Sequence, residues 1–471
     1  MKRQTFCVHG HFYQPPREDP LTDEIPHEPG AAPFNNWNER IHAQCYKPNA
    51  DLGNFEHISF NLGPTLAHWM ESFDPETLKK IIDQDRANQE RYGVGNALAQ
   101  PYNHSILPLA TRVDKITQVR WGIADFKYRF GHHPAGMWLP ETAVDTETLE
   151  VLAECEMAFT MLAPWQAGED PIDVMQPYRV MLKDDQESIS VFFYHSGLSS
   201  GISFTPDLTV DADTFVEDAL LPEFANGNGK VTDAELLLIA SDGELYGHHQ
   251  PFREMFLQRL VSGALEGQPI EPSYLALWLK AHPPRQTMTI KERTSWSCHH
   301  GVERWSAECG CTPRGQWKAP LRDALNRIAD GVDAQFVTAL RPYMEDPWEL
   351  RHRYIHVLQN EITLEDLVGE VVGRKLDEEF MNTLDLLLQA QFERQRMFTS
   401  CGWFFDDFDR IEPRNNIAYA ADAVRLTHEA TGINLAPQAQ IWLQKVKSWR
   451  SGLWASTFFN YQLQRIQSSK K

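Results

Sequence analysis

Two acidic clusters stand where chemistry could be done. Met137-Trp138-Leu139-Pro140-Glu141-Thr142 is a short apolar run closed by a proline and a carboxylate. The pattern returns further along as Leu236-Leu237-Leu238-Ile239-Ala240-Ser241-Asp242-Gly243-Glu244. Each reads as a buried strand with an acid at or just past its end, Pro140 being unable to extend a sheet ladder. In α/β sheets, ligands bind outside the carboxyl ends of the strands, so Glu141 and Asp242 can face one another across one site. A nucleophilic carboxylate opposite a proton-donating carboxyl is the minimal equipment for breaking a glycosidic bond. Both acids also have plainer uses. Glu141, with Thr142 and Asp145, can cap the following helix. Asp242 and Glu244 can cap a helix after Pro251 or hold a metal, and Gly243 lets the backbone turn.

His9 and His11 close the first candidate strand and, at a period of two, share one face; Gln14 follows. The pair can bind a metal, or it can hydrogen-bond sugar hydroxyls and tune a neighbouring carboxylate. Of the adjacent pairs His132-His133, His248-His249 and His299-His300, His248 lies near enough to Asp242 in the chain to line the same pocket. Cys298-His299-His300 and Cys309-Gly310-Cys311 offer zinc-ligand types without a paired C-x-x-C spacing. With Trp296, Trp305 and Trp317 around it, this segment reads as an aromatic wall against a ligand, and no metal or other cofactor is assigned. There is no G-x-S-x-G, phosphate-binding loop or G-x-G-x-x-G.

The elements that must carry these residues alternate between strand and helix up to about residue 290. Strands are predicted at Gln4–His9, Ile58–Leu62, Gly95–Gln100, Ala135–Leu139, Phe159–Leu162, Ile189–Tyr194 and Leu236–Ala240, the last apolar throughout and so buried on both faces. Helices are predicted from Pro64, and at Pro75–Tyr92, Val113–Phe130 and Thr146–Glu156. Such alternation argues for a parallel sheet, open or closed into a barrel. Beyond it, Leu321, Leu325, Ile328, Val332, Phe336 and Leu340 make one apolar helix face, as do Leu384, Leu388 and Phe392. The Pro-rich stretch Arg17–Pro33 reads as a long loop, and Asn226-Gly227-Asn228-Gly229 as a turn.

Composition narrows the partners. The 471 residues are 42% hydrophobic and 23% charged, with a net charge of −21, which suits a globular protein and argues against a nucleic-acid backbone as partner. Seven cysteines without a disulfide-like spacing point to a reducing compartment. No signal-like or membrane-spanning apolar run is seen, so a cytoplasmic location and no membrane partner are expected. Oligomeric state is not legible.

Together the motifs resemble glycoside hydrolase family 57, the α-glucan-active enzymes. His9-Gly10-His11-Phe12-Tyr13-Gln14-Pro15 is similar to the family's first motif, and Gln100-Pro101-Tyr102-Asn103-His104-Ser105-Ile106-Leu107-Pro108-Leu109 to its second. Gly136-Met137-Trp138-Leu139-Pro140-Glu141 resembles the third, and Ser241-Asp242-Gly243-Glu244-Leu245-Tyr246-Gly247-His248-His249 the fourth. The resemblance implies a (β/α)7-type barrel over 1–290 and a mainly α-helical region over 291–471 that contributes to the active-site wall and resembles an uncharacterised domain. It implies a metal-independent retaining reaction on an α-glucan or maltooligosaccharide, with Glu141 as nucleophile and Asp242 as general acid/base. His9, His11, Gln14, His104, Trp138, Glu244, His248, Trp296 and Trp305 would line the substrate, and His9, His11 and His104 would sort the two acids. A retaining enzyme would hold its carboxyl groups roughly 5–5.5 Å apart. Two other readings are a metal-dependent carbohydrate hydrolase or deacetylase using His9, His11 and Asp242, and a glucan-binding protein without turnover.

Overall fold

The computed structural model describes residues 4–183, 186–226 and 234–469. The turn expected at 226–229 lies outside them from Gly227 onward. The chain divides into two compact units. The first comprises the N-terminal segment up to Gln14 with His27–Gln100 and Phe126–Trp296; the second comprises Pro15–Pro26, Pro101–Asp125 and Ser297–Lys471.

The first unit is built on β1 (Gln4–Phe12), β2 (Ser59–Leu62), β3 (Ala97–Leu98), β4 (Phe159–Leu162), β5 (Tyr178–Leu182), β6 (Glu187–Phe193) and β7 (Glu235–Asp242). β1 is central, pairing in parallel with β2 on one side and β7 on the other; β3 extends the path beyond β2. The segment 135–138 carries the path onward, Ala99 pairing with Met137 and Gly136 with Phe159. The bonds are Trp138 N–H to Ala99 O at 2.8 Å and Met137 N–H to Phe159 O at 3.1 Å. β4 pairs in parallel with β6, and just past β6 the His195 N–H donates to Leu238 O of β7 at 2.7 Å. The hydrogen-bonded circuit thus returns to its start through seven segments: β1, β2, β3, 135–138, β4, β6 and β7. This is the (β/α)7-type arrangement, with β5 antiparallel to β6 outside the circuit. Gly136 makes one joint possible, since a Cβ there would stand 2.6 Å from the Phe159 ring.

Most predicted elements appear where hydrophobic period placed them. The helix Pro75–Tyr92 and strand Phe159–Leu162 have the predicted bounds. The strand expected at Gly95–Gln100 shrinks to Ala97–Leu98, and the one expected at Ala135–Leu139 survives as isolated bridges. β5 was not anticipated; its half-buried Tyr178-Arg179-Val180-Met181-Leu182 carries only a weak alternating pattern. β7 is buried from Glu235 to Ser241. Each apolar side chain there contributes about 1.5–3 kcal/mol by leaving water.

The second unit is helical. The helix Lys318–Leu340 buries all six residues of the predicted stripe, and Glu378–Arg396 and Ile411–Thr431 are its other long helices. An ion network lies inside it: Asp114 pairs with Arg394 Nη1 at 2.9 Å and Arg351 Nη2 at 3.1 Å, and Arg394 also reaches Asp333 at 2.8 Å. Burial alone would raise the Asp114 carboxyl, but the two guanidinium groups prevail and hold it at about 2. Its stabilisation is therefore complete above the ordinary carboxylate range and is lost as pH falls through about 2. Among the described residues no helix is long and apolar enough to cross a membrane. Asp114→Ala leaves two buried guanidinium groups short of a partner and should cost about 3–5 kcal/mol. Urea unfolding followed by circular dichroism checks this; an unchanged midpoint would mean the network carries no net stability.

Candidate active site

The carboxyl ends of β1, β2 and β7 bring the predicted residues together. In the parallel register His11 lies opposite both Asn61 and Asp242, and His9 opposite Ser59 and Ala240. His9 Nδ1 lies 3.1 Å from Ser59 Oγ and its Nε2 3.3 Å from Asn61 Oδ1; His11 Nδ1 lies 3.1 Å from the same Oδ1. Asn61 in turn donates to Gln100 Oε1 at 2.8 Å. Both imidazoles stack on Trp138, with ring centroids 4.9 Å away in each case, so the shared face is real. Burial lowers His9 to about 3, helped by His11, and lowers His11 to about 4. Both rings are neutral at physiological pH. Their hydrogen bonds go to Ser59 and Asn61, and they bring no histidinium charge to the neighbouring acids.

Asp242 is the one exposed residue of β7. Solvent reaches its carboxyl group, but the surrounding protein leaves it poorly hydrated. Burial first, then the charges of Glu244 and Glu141, push it up to about 8. Glu141 is thus within electrostatic range of Asp242. Glu141 is partly exposed and stands in the left-handed region at φ 58°, followed by Thr142 at φ 46°. Such backbone in a non-glycine residue costs on the order of 1–3 kcal/mol and is concentrated at functional sites. Trp296 clamps it twice: its backbone N–H donates to Glu141 O and its indole N–H to Glu141 Oε2, both at 3.0 Å. Trp296 also meets Trp138 edge-on at 5.0 Å. Contacts therefore run from Asp242 through His11, Trp138 and Trp296 to Glu141.

The capping alternatives are excluded. Asp145 caps the helix Thr146–Glu154 by accepting from Thr148 N at 2.8 Å. The helix Arg253–Ser262 has Phe252 at its N-cap, with no side-chain cap bond. Neither of these helices is capped by Glu141, Asp242 or Glu244, and Asp242 precedes the short turn Gly243–Leu245 without a side-chain cap bond.

The other predicted residues divide. His9 and Trp138 are wholly buried and act as a layer behind His11 and Trp296. Glu244 is buried and accepts from Tyr13 N at 3.1 Å and Tyr46 O–H at 2.6 Å, tying the chain after β1 to β7. Burial raises it to about 7 against those bonds. Gln14 donates to Tyr46 at 3.0 Å and so supports the same tie. His248 pairs with Gln44 at 2.7 Å; burial, then His249 and Arg40, lower it to about 4. His104 and Trp305 belong to the second unit. His104, at φ 52°, bonds Ser400 Oγ at 2.7 Å. Trp305 is fully buried, and Trp317 is buried with its N–H on Asp406 O. In this structure both rings fill the unit's interior instead of presenting a wall to a ligand, because the chain folds over them.

Asn61 and Trp165 were not singled out from the sequence. Asn61 was detectable as a lone amide in the apolar run Ile58–Leu62. Trp165 is exposed, donates to Ser295 O at 3.0 Å and lies 6.1 Å from Tyr194; nothing in its local sequence marks it. Among the described residues, His9, His11 and Asp242 do not form a metal-ligand group; the cluster that does is Cys298, His300, Cys309 and Cys311.

Residues 11–291 match the family described as Glycosyl hydrolase family 57, and residues 314–453 match Domain of unknown function (DUF3536). The first match covers more than half the chain, and the chain belongs to glycosyl hydrolase family 57. Alpha-amylase 1 of Dictyoglomus thermophilum is 22% identical over 286 residues, 56% of this chain and only 39% of that relative's length. An exo-type maltose-forming amylase from Pyrococcus sp. ST04 shares the fold at 15% identity and TM-score 0.73, over 98% of this chain and 88% of its own. A branching enzyme of the same family from Pyrococcus horikoshii does so at 14% identity and TM-score 0.62, over 99% and 94%.

Gly243 is needed for a different reason from the one expected. Its φ is not left-handed; instead a Cβ there would stand 2.4 Å from the Phe12 ring. Gly243→Ala should therefore destabilise the first unit by about 1–3 kcal/mol through overpacking, read as a lower thermal midpoint. A midpoint equal to the parent's would show that Phe12 yields freely.

Proposed function

We propose that this protein is a retaining glycoside hydrolase or transglycosidase acting on α-glucans, with Glu141 as nucleophile and Asp242 as general acid/base. The observation that carries this reading is the contrast between the two acids. Asp242 is poorly hydrated and holds its proton to about pH 8, and its charge environment includes Glu141. Glu141 receives the Trp296 indole N–H, which favours a carboxylate and fixes its aim. The names of the family relatives, an amylase and a branching enzyme, support α-linked glucan as the substrate class.

In the first step Glu141 attacks the anomeric carbon while Asp242 gives its proton to the departing glycosidic oxygen. The carbon–oxygen bond breaks and a glycosyl ester on Glu141 forms. Asp242, now ionised, removes a proton from water or from a second sugar hydroxyl. That oxygen attacks the anomeric carbon and frees Glu141. The same acid serves both halves because a pKa near the working pH suits both donation and acceptance. Neutral His11 stands beside the β7 end, held there by the buried Asn61 amide. The metal-dependent alternative lacks a ligand group at His9, His11 and Asp242. Seven free cysteines fit a reducing compartment, and a cytoplasmic location is part of the proposal.

Glu141→Gln and Asp242→Asn should each lower turnover of a defined maltooligosaccharide, Asp242→Asn by on the order of 10²–10⁴-fold, with the thermal midpoint retained. A variant that turns over near the parent's rate would refute its assigned role, and parental protein that binds glucan but forms no product would favour a binding protein. Shorter products alone indicate water as acceptor, and a ladder of longer ones indicates sugar. Activity of the parent should also fall as pH rises through about 8, because the donor proton on Asp242 is lost there. A profile flat to well above pH 9 would place the proton on another group.

A further inference from the structure

Four metal-ligating side chains outside the glycosidase site converge within the second unit. Cys298 and His300 form one i, i+2 pair, and Cys309 and Cys311 another. One ligand atom from each falls within 4.8 Å of all the others. Cys298 Sγ lies 3.9 Å from Cys309 Sγ, and Cys311 Sγ lies 3.4 Å from His300 Nδ1. A tetrahedral zinc with Zn–S of about 2.3 Å and Zn–N of about 2.0–2.1 Å requires sulfur–sulfur edges of about 3.8 Å and sulfur–nitrogen edges of about 3.5 Å. The spacings therefore match a closed Cys3His coordination sphere.

The surroundings fit the charge of such a centre. Each pair sits in a tight turn, Gly301 N bonding Cys298 O and Thr312 N bonding Cys309 O, both at 3.1 Å. The backbone N–H groups of Arg304 and His300 point at the Cys298 sulfur. Gly310 lets the two turns approach, since a Cβ there would lie 3.3 Å from the His300 ring. Lys318 is fully buried, donates to Arg304 O at 3.0 Å, and has no carboxylate partner among the described residues. Its ammonium group instead lies in the field of Cys309, Cys298 and Cys311, with the Arg304 guanidinium also close enough to repel it. A buried cation without a counter-ion is costly. Three thiolates and one neutral imidazole around a divalent ion leave one net negative charge, which Lys318 would balance. The stretch between Trp296 and the helix starting at Lys318 contains no α-helix or strand, only short turns at Glu303–Trp305 and Gly315–Trp317. A crosslink is what such a segment lacks.

We propose that Cys298, His300, Cys309 and Cys311 bind one structural zinc ion that staples the segment leading into the helix Lys318–Leu340. The sphere is filled by protein, so the ion is held without an open position for substrate. Binding converts three thiols to thiolates and releases their protons to solvent.

Full-length protein purified under reducing conditions from zinc-supplemented medium should contain about one zinc per chain. The double variant Cys309→Ser/Cys311→Ser should fall to background. Exchange of the parent with cobalt(II) should give thiolate charge-transfer absorption and the visible bands of a tetrahedral site, and needs no variant to fold. A chelator should lower the thermal midpoint of the parent. Metal-free parent protein that takes up no cobalt with these bands would overturn the proposal, as would a Cys298–Cys309 disulfide in the freshly isolated protein. The readout is metal content and spectrum rather than turnover, so its failure is distinct from failure of the roles given to Glu141 and Asp242.

Discussion

The parallel register of β1 against β7 is the constraint on which the site rests. It sets His11 opposite Asp242 and His9 opposite Ala240. Side chains alternate faces along a strand, so a slip of one residue would turn both histidines away together. What prevents the slip is burial: β7 from Glu235 to Ser241 and β1 from Thr5 onward are enclosed, and the circuit of hydrogen bonds leaves little freedom to shift. The same enclosure sets the electrostatics. A poorly hydrated strand end pushes Asp242 up and the two histidines down. Three titratable groups are thus neutral at physiological pH where water would charge at least one.

Glu141 is held by a different device. Its backbone is left-handed, and the energy for this comes from contacts around it: Pro140 before it, Thr142 Oγ1 bonded to Gln166 at 2.8 Å behind it, and Trp296 on both its carbonyl and its carboxylate. Trp138 joins the two halves of the arrangement, stacking under both histidines and meeting Trp296 edge-on. Aromatic rings do this well because they are large, stiff and costly to displace. The Trp138 ring is wholly buried, so its part is to hold other groups in place.

The second unit solves a separate problem. Its long helices have apolar stripes, but it also encloses Arg351, Arg394 and Lys318. The arginines meet Asp114 and Asp333, as a buried charge requires; Lys318 faces thiols instead, which would supply an opposite charge only as the thiolates of the proposed zinc centre.

Much of this was legible in the chain because period and chain order are local properties. The apolar run at Leu236–Ala240, the shared face of His9 and His11, the stripe from Leu321 to Leu340 and the strand-end acids all follow from residue spacing alone. The resemblance to glycoside hydrolase family 57 rested on short motifs of the same kind. Only the tertiary structure decided which acid caps a helix, since Asp145 and Glu141 look alike in sequence and differ in what reaches them. It decided that Gly243 is required by the Phe12 ring, that Trp305 is interior, and that Asn61 links both histidines. Two weak i, i+2 pairs of Cys and His became one four-membered cluster only when the loop between them folded back. Except for the Asp145 cap, each of these facts is a distance between residues separated in the chain, and such distances are fixed by packing and closure, which no local spacing encodes.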